Sequence, residues 1–330
     1  MNMNDDLSPL RDPVRGEPLA VAGNQLTSST ASYPIVDGIP RFVDPENYAS
    51  DFGAQWNRFP RTQLDSYSKI NLSRRRLEQC LREDLSALSG KTVLEAGSGA
   101  GRFTEILVKT GATLHSFDFS SAVDANKANN GANANLLLVQ ADIRHIPFPP
   151  HSYDYVICIG VLQHTPSPEQ SVESLWSMVK PGGRMVIDHY RWRLRFILPT
   201  PFGSAESVYR WVTLRLPASR RARFVDAVTR FWFPLHWRFR HSLFAQRVIR
   251  RFSPVHFYYP DIALAGEEQF LEWALLDTHD AQTDVYKHLR SREQIRKLLQ
   301  RLGAEEIDVR VGGNGVEATC TKPMGPDPRP

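Results

Sequence analysis

The sequence predicts an α/β fold around a seven-stranded sheet, five parallel strands plus a terminal antiparallel hairpin, on three observations. From Lys91 onward, short apolar runs alternate with segments of helical period, and strands joined through helices must lie parallel. The string VLEAGSGAGRF places Gly97, Gly99 and Gly101 between a buried strand and a helix. The chain closes with AEEIDVRV and GVEATCTKP, alternating segments whose short VGGNG connection makes them hairpin partners.

Residues 1–48 are rich in Pro, Gly and Ser and end in YPIVDGIPRFVD, where apolar alternation around Asp37-Gly38 predicts a small hairpin. A polar helix is expected from about Ser73 to Ser89, closed by Gly90. KTVLEAG then reads as a buried strand, ARFTEILVKTG as a helix stopped by Gly111, and ATLHSFD as a second strand. SSAVDANKANNG is a short helix, NLLLVQAD a third strand and YDYVICIG a fourth. In SPEQSVESLWSMVK the pattern predicts a helix with Ser167 as cap, Pro168 in the first helical position and Gln170 closing a capping box. PGG turns the chain into a fifth strand, RMVID. After a long insertion, SREQIRKLLQRLG resumes the pattern with Ile295, Leu298, Leu299 and Leu302 on one helix face.

A chain of 330 residues, 42% hydrophobic and 23% charged, can build a full core, which excludes a disordered tail, a collagen or a disulfide-stapled miniprotein. No apolar run approaches the ~20 residues of a spanning helix, and the acidic start MNMNDDLSPLRDP is unlike a signal peptide, so a cytoplasmic location is expected. Cys80, Cys158 and Cys320 are too isolated for a four-thiolate metal site or a disulfide framework. The net charge of +4 hides an asymmetry: Arg191 to Arg251 holds 14 arginines, no lysine and only Glu206 and Asp226 as acids, so that segment is +12 and the remainder −8. Its arginines are interleaved with aromatics, among them Trp192, Phe196, Tyr209, Trp211, Phe231, Trp232, Trp237, Phe239 and Phe244. Four readings compete: a lid whose arginines pair with the acidic remainder, an anionic-lipid surface, a phosphate clamp, and, least favoured, a nucleic-acid stripe.

The glycine loop departs from the dinucleotide fingerprint, which would require glycine where Arg102 stands; the spacing is acid-x-G-x-G-x-G with Glu95 two residues ahead of Gly97. Asp118 ends the second strand, where a carboxylate can accept from a ribose diol, and Asp142 ends the third. In LEAGSGAGRF, SFDFS, ADIRHIPF, SYDYVICIGVLQHTP and LWSMVKPGGRMVI the sequence resembles the class I S-adenosylmethionine-dependent methyltransferases, in particular the bacterial group with a type 11 methyltransferase domain, over 91–190 and more loosely over 291–322. The resemblance implies a Rossmann-like methyltransferase sheet and S-adenosyl-L-methionine lying over Gly97, Ser98, Gly99 and Gly101. It places the ribose on Asp118, the adenine between Phe119 and Ile143 with its amine on Asp142, and the methionine end near Ile159 and Gly160. The segment YASDFGAQWNRFPRTQLDS resembles helices that close over the cofactor, so Trp56, Arg58, Gln63 and Tyr67 are candidates for sealing the site.

LRDPVRGEPL with LTSSTASYPIVDGIPRF resembles the zinc ribbon of a methyltransferase-activator family, but Asp12, Arg15, Leu26 and Ser29 stand where paired thiolates would be. Leucine cannot ligate zinc and an arginine repels it, so a metal-free relic docked on the next domain is expected. The expected divisions are this relic over 1–48, closing helices over 49–90, the cofactor core over 91–190, and a helical insertion over 191–290 acting as lid or acceptor site. The core's last helix and hairpin occupy 291–322, with a flexible tail over 323–330.

Methyl transfer from a sulfonium needs an aligned acceptor, exclusion of water and, for a hydroxyl, a base. His164 in VLQHT and His189 in VIDHY are the candidate bases, and Asp277, Thr278, His279, Asp280 and Tyr286 are candidate acceptor contacts in a segment otherwise read as a self-capping loop. The favoured reaction is O-methylation of a small-molecule, saccharide or glycolipid-precursor acceptor. The alternatives are RNA or protein methylation, or a cofactor-binding module without turnover.

Overall fold

The structure is a computed structural model that describes residues 6–44, 47, 49–192 and 205–325. Of the arginine-rich stretch, 193–204 lie outside the described residues, as do 326–330 of the tail.

The chain opens with a small four-stranded antiparallel sheet, β1 (Ala20–Ala22), β2 (Gln25–Thr27), β3 (Ser32–Val36) and β4 (Ile39–Pro40). The last pair is the expected hairpin, with Asp37 at φ 50° and Gly38 at φ 69°, the left-handed values that a tight two-residue turn demands. Asp12 organises this module: its carboxylate accepts from the amides of Val14 (2.9 Å) and Arg15 (3.0 Å), from Ser28 Oγ (2.6 Å) and from Tyr33 OH (3.2 Å). Leu26 is fully buried, and Ser29 bonds Glu17. The module lies along the core sheet, where Phe42 N donates to Gln140 O at 2.8 Å and Leu10 and Leu26 join the main hydrophobic cluster. It thereby covers an otherwise bare sheet edge.

Three helices come next, α1 (Ser50–Arg58), α2 (Asp65–Ser68) and α3 (Leu72–Leu81). The helix expected to run to Ser89 stops earlier, because Arg82 turns left-handed at φ 62° and a 3-10 turn over Leu85–Leu88 completes the segment. The core then alternates as expected: β5 (Thr92–Ala96), α4 (Thr104–Leu107), β6 (Thr113–Asp118), α5 (Val123–Asn130), β7 (Leu136–Gln140), β8 (Tyr153–Cys158), α6 (Pro168–Met178) and β9 (Val179–Tyr190). The insertion contributes α7 (Ala205–Thr213), α8 (Ala218–Arg238), α9 (Leu243–Phe252) and α10 (Gly266–Thr283). The chain returns through α11 (Arg292–Arg301) to the hairpin of β10 (Glu305–Val311) and β11 (Gly315–Thr321).

The sheet order is β10-β11-β9-β8-β5-β6-β7, with parallel pairing from β9 to β7 and antiparallel pairing at β11 and β10. Strand alternation splits the core between the two faces. Leu94, Phe117, Leu137, Val139, Val156 and Ile187 meet α6 and α11 on one side, while Val93, Leu114, Leu136, Leu138, Ile157 and Val186 meet α3, α4 and α5 on the other.

Two local expectations are corrected. Ser167 does occupy the cap position of α6, with Pro168 first in the helix, but its side chain makes no capping bond and no box with Gln170 forms. The box forms instead at α11, between Ser291 and Gln294. PGG is not a turn ahead of the fifth strand but an irregularity within β9, where the register against β8 shifts and Gly182 takes φ 74°.

Candidate functional site

β5 is flanked by β8 on one side and β6 on the other, so the order of connection reverses there and the carboxyl ends of these strands open a crevice. The glycine loop leaves β5 at this point. Gly97, Gly99 and Gly101 have φ of 76°, 53° and 91°, and a Cβ on Gly97 would strike Val161 while one on Gly101 would strike Asn126 and Asn130. Glycine is therefore required for both conformation and clearance. Asp118, at the end of β6, accepts from Gly99 N (2.8 Å) through Oδ2 and from Ser120 N (2.8 Å) and Ser120 Oγ (2.7 Å) through Oδ1. Burial raises its pKa, against the opposing effect of these bonds. Of these donors only the Ser120 hydroxyl can rotate away to admit a diol.

Beneath the loop, Glu95 accepts through Oε2 from Thr104 Oγ1 (2.6 Å) and Ser116 Oγ (2.8 Å), and burial pushes its pKa up to about 7 despite those bonds. Glu95 Oε1 and Ser98 Oγ are buried without a hydrogen-bond partner among the described residues. Unpartnered buried polar atoms beside a loop kept clear of side chains fit a polar ligand resting there, as the implied cofactor would.

Just past the end of β8, Gly160 is exposed at φ 81°, with open space where a Cβ would stand, and its amide donates to Asp188 Oδ1 at 2.6 Å. Asp188 is buried and also paired with Arg76. Ile159 and Ile143 are buried beside the crevice strands, and Phe119 is half-buried, its carbonyl accepting from Gln140 Nε2 at 3.0 Å. Asp142 departs from the expectation of an adenine contact. Arg144 holds its carboxylate through the backbone amide (2.9 Å), Nε (3.1 Å) and Nη2 (2.6 Å), which leaves little acceptor capacity for an amine.

The segment from α1 through α2 packs over the glycine loop. The Trp56 ring stands 3.6 Å from where a Gly99 Cβ would be and packs with Phe59, Leu271, Leu275 and Leu276. Arg58 pairs with Asp226 of α8 at 2.5 Å, Tyr67 OH donates to Glu272 at 3.0 Å, and Gln63 bridges Arg102 and Asp277. All four expected sealing residues thus tie this segment to the glycine loop or the insertion. Arg102, which no sequence pattern singles out for a role, is half-buried; desolvation pulls its pKa down to about 10.

The two candidate bases separate. His164 sits at the end of a 3-10 turn after β8, between the rings of Phe52 and Tyr190, each 5.3 Å away, with Nδ1 2.9 Å from Asp284 Oδ2. Burial opposes its charged form, but Asp284 and Asp280 outweigh that and raise its pKa. His189 is a residue of β9 rather than of a loop beyond it, and is 1% exposed with Nδ1 on Tyr190 O (3.1 Å). Burial pulls its pKa down to about 4, and strand alternation sets it opposite Asp188 and Tyr190, toward Glu169 and Arg290. The structure does not bring it to the crevice.

The segment read as a self-capping loop is the last turns of α10. At helical spacing, Asp277 faces Gln63 and Trp273, Asp280 accepts from Tyr190 OH (3.4 Å), and Asp284 meets His164. Thr278 and His279 turn instead to His256 and Asp226, and Tyr286 stacks on His288. Among the described residues, no group of three or more His, Cys, Asp or Glu is arranged to hold a metal ion.

A sequence family described as a methyltransferase domain matches residues 94–187. That span is a class I S-adenosyl-L-methionine-dependent methyltransferase domain. It contains the glycine loop, Asp118, Gly160 and His164. The ubiquinone biosynthesis O-methyltransferase of Pseudomonas fluorescens is 30% identical over 102 residues, 30% of this chain and 44% of that protein. The enzyme of that name from Coxiella burnetii is 29% identical over 130 residues, 38% of this chain and 55% of that one. The chain therefore spans about half the length of the curated relatives it matches. Among solved structures, human N-acetylserotonin methyltransferase in complex with S-adenosylmethionine is similar with a TM-score of 0.45 at 15% identity, covering 85% of this chain and 60% of that one. A methyltransferase from Aquifex aeolicus gives 0.42 at 13%, covering 80% and 96%. No helix among the described residues is long and apolar enough to cross a membrane.

Proposed function

We propose that the protein is an S-adenosyl-L-methionine-dependent O-methyltransferase acting on a hydroxyl of a small molecule, a saccharide or a glycolipid precursor, with His164 as the base. The observation that carries the reading is the His164–Asp284 pair at 2.9 Å, held just beyond the carboxyl end of β8 between Phe52 and Tyr190. Relatives named for O-methylation support oxygen as the receiving atom.

The cofactor, when bound, supplies a methyl group already activated as a sulfonium. The chain's own tasks are to hold, align, dry and deprotonate. Glu95, Ser98 and Asp118 offer the polar contacts of the loop, and Gly160 leaves open room beside it. Trp56 over Gly99 and Phe52 against His164 exclude water. With Nδ1 2.9 Å from Asp284 Oδ2, Nε2 of His164 is the nitrogen assigned to take the acceptor's hydroxyl proton, and the Asp284 charge stabilises the imidazolium that results. Asp277, Asp280 and Tyr190 present further hydrogen-bonding groups to a polyhydroxylated acceptor.

The test is transfer of a labelled methyl group from the cofactor into fractions of a cell extract. Label in the small-molecule or lipid-extractable fraction, lost with His164→Gln, is the expected result; label only in RNA or protein overturns the reading.

A further inference from the structure

The insertion turns outward what a surface facing only water would bury or pair. On α9, Phe244, Arg247, Val248 and Phe252 recur at helical spacing on an exposed face, and Phe244 is 75% exposed. On α8, Phe231, 74% exposed, shares an outward face with Leu235 and Arg238, and on α7 Val208 and Trp211 lie outward one turn apart. The charge there is uncompensated. Arg220, Arg223, Arg230 and Arg247 form no ion pair among the described residues, whereas the two acids of the 191–251 stretch are taken, Asp226 by Arg58 and His279 and Glu206 by Lys287. Among the described residues, these four arginines do not make the pairs with the acidic remainder that a lid reading calls for.

We propose that this outer face of α7, α8 and α9 docks peripherally on an anionic lipid bilayer. Guanidinium groups bind phosphodiesters bidentately, and interleaved aromatic and aliphatic side chains enter the boundary between headgroups and acyl chains. The aliphatic members separate this occupant from a nucleic acid, since Leu235, Leu243 and Val248 offer nothing for a base to stack on. The surplus of arginine separates it from a second copy of the chain, because two such faces repel each other. The inner sides of α7 and α8 pack on α10, so the docking face is the outer wall of the helices that back Asp277 and Asp280.

The full chain is sedimented with vesicles of phosphatidylcholine alone and of phosphatidylcholine with about a third phosphatidylglycerol, at low and high salt. Binding at least ~10-fold tighter to the anionic vesicles, weakened by salt, is expected. Phe231→Ser with Phe244→Ser, and separately Arg223→Glu with Arg247→Glu, should each lower it about 5-fold or more while leaving melting temperature and S-adenosylhomocysteine affinity unchanged. Should a variant not fold, brominated phospholipid should still quench wild-type tryptophan fluorescence on anionic vesicles. Equal binding to both vesicles, binding to an RNA oligonucleotide with none to vesicles, or a dimer that disappears with the phenylalanine substitutions and ignores lipid would overturn the proposal.

Discussion

The α/β core and the helical insertion solve the same physical problem differently. In the core, successive strand residues are divided between two apolar faces, and two of the buried polar atoms without partners among the described residues, Glu95 Oε1 and Ser98 Oγ, lie at the glycine loop. In the insertion, a smaller cluster around Phe233, Phe257, Phe270 and Trp273 holds the helices together, while Phe231, Leu243 and Phe244 face outward. The core is shaped around a ligand common to many proteins. On the proposed reading, the insertion answers to what is particular to this one: an acceptor on its inner side at α10 and a lipid surface on its arginine-bearing side. Function sits where each departs from close packing.

Substitutions on either side of the seam probe that contrast. His164→Gln, at the seam itself, should lower kcat by roughly 10²- to 10⁴-fold with cofactor affinity unchanged. In the wild type, activity should rise with pH through an acidic limb lying above the ordinary histidine value of ~6.5, because Asp284 and Asp280 raise the pKa of a base that must be neutral to act. A limb at or below that value, or one that survives in the variant, removes His164 from the reaction. Leu94→Ala in the core should cost about 2–5 kcal/mol in denaturant unfolding, since a fully buried side chain leaves a cavity.

Glu95 gives a pH signature of the buried loop. Its folded pKa near 7 lies above the ordinary 4.5, so the native state keeps a proton that the unfolded chain has released. Stability should therefore fall as pH rises between those values, by no more than about 3 kcal/mol, and Glu95→Gln should flatten that slope in unfolding measured across the window. At the small end, Phe231→Ser should change stability by less than about 0.5 kcal/mol, because its ring is already in solvent. A loss as large as that of Leu94→Ala would erase the distinction between the two regions.

The core is legible in the sequence because its signals are local. Glycines at 97, 99 and 101 are needed within one loop, and each apolar strand run is bounded by a turn or by a stretch of helical period. The acceptor side is not, because its contacts join distant segments: Asp284 reaches His164 across 120 positions, and Gln63 reaches Asp277 across 214. Polar residues from Asp277 to Thr283 read as a loop because the helix carrying them is buried between polar partners, so neither apolar period nor solvent alternation marks it. His189 and Asp142 show the opposite failure. Each stands in a suggestive motif, yet each is engaged by a neighbour within two positions, His189 Nδ1 by Tyr190 O and the Asp142 carboxylate by Arg144. Arg76 and Arg102 carry no signal in the sequence; their partial burial arises only when α3 and the loop after β5 come together.

Adenosyl binding at the loop after β5, fastened by Asp118, underlies every functional step above, and titration calorimetry with S-adenosylhomocysteine probes it without an acceptor. The wild type should show a single site, weakened in Asp118→Ala by about 1–3 kcal/mol or more, since that carboxylate fixes the Gly99 amide and, on the proposed reading, would accept from the ribose. Asp277→Asn on α10 should leave that affinity unchanged. Equal affinity in wild type and Asp118→Ala, or no heat of binding at all, would show that the adenosyl group is not held there.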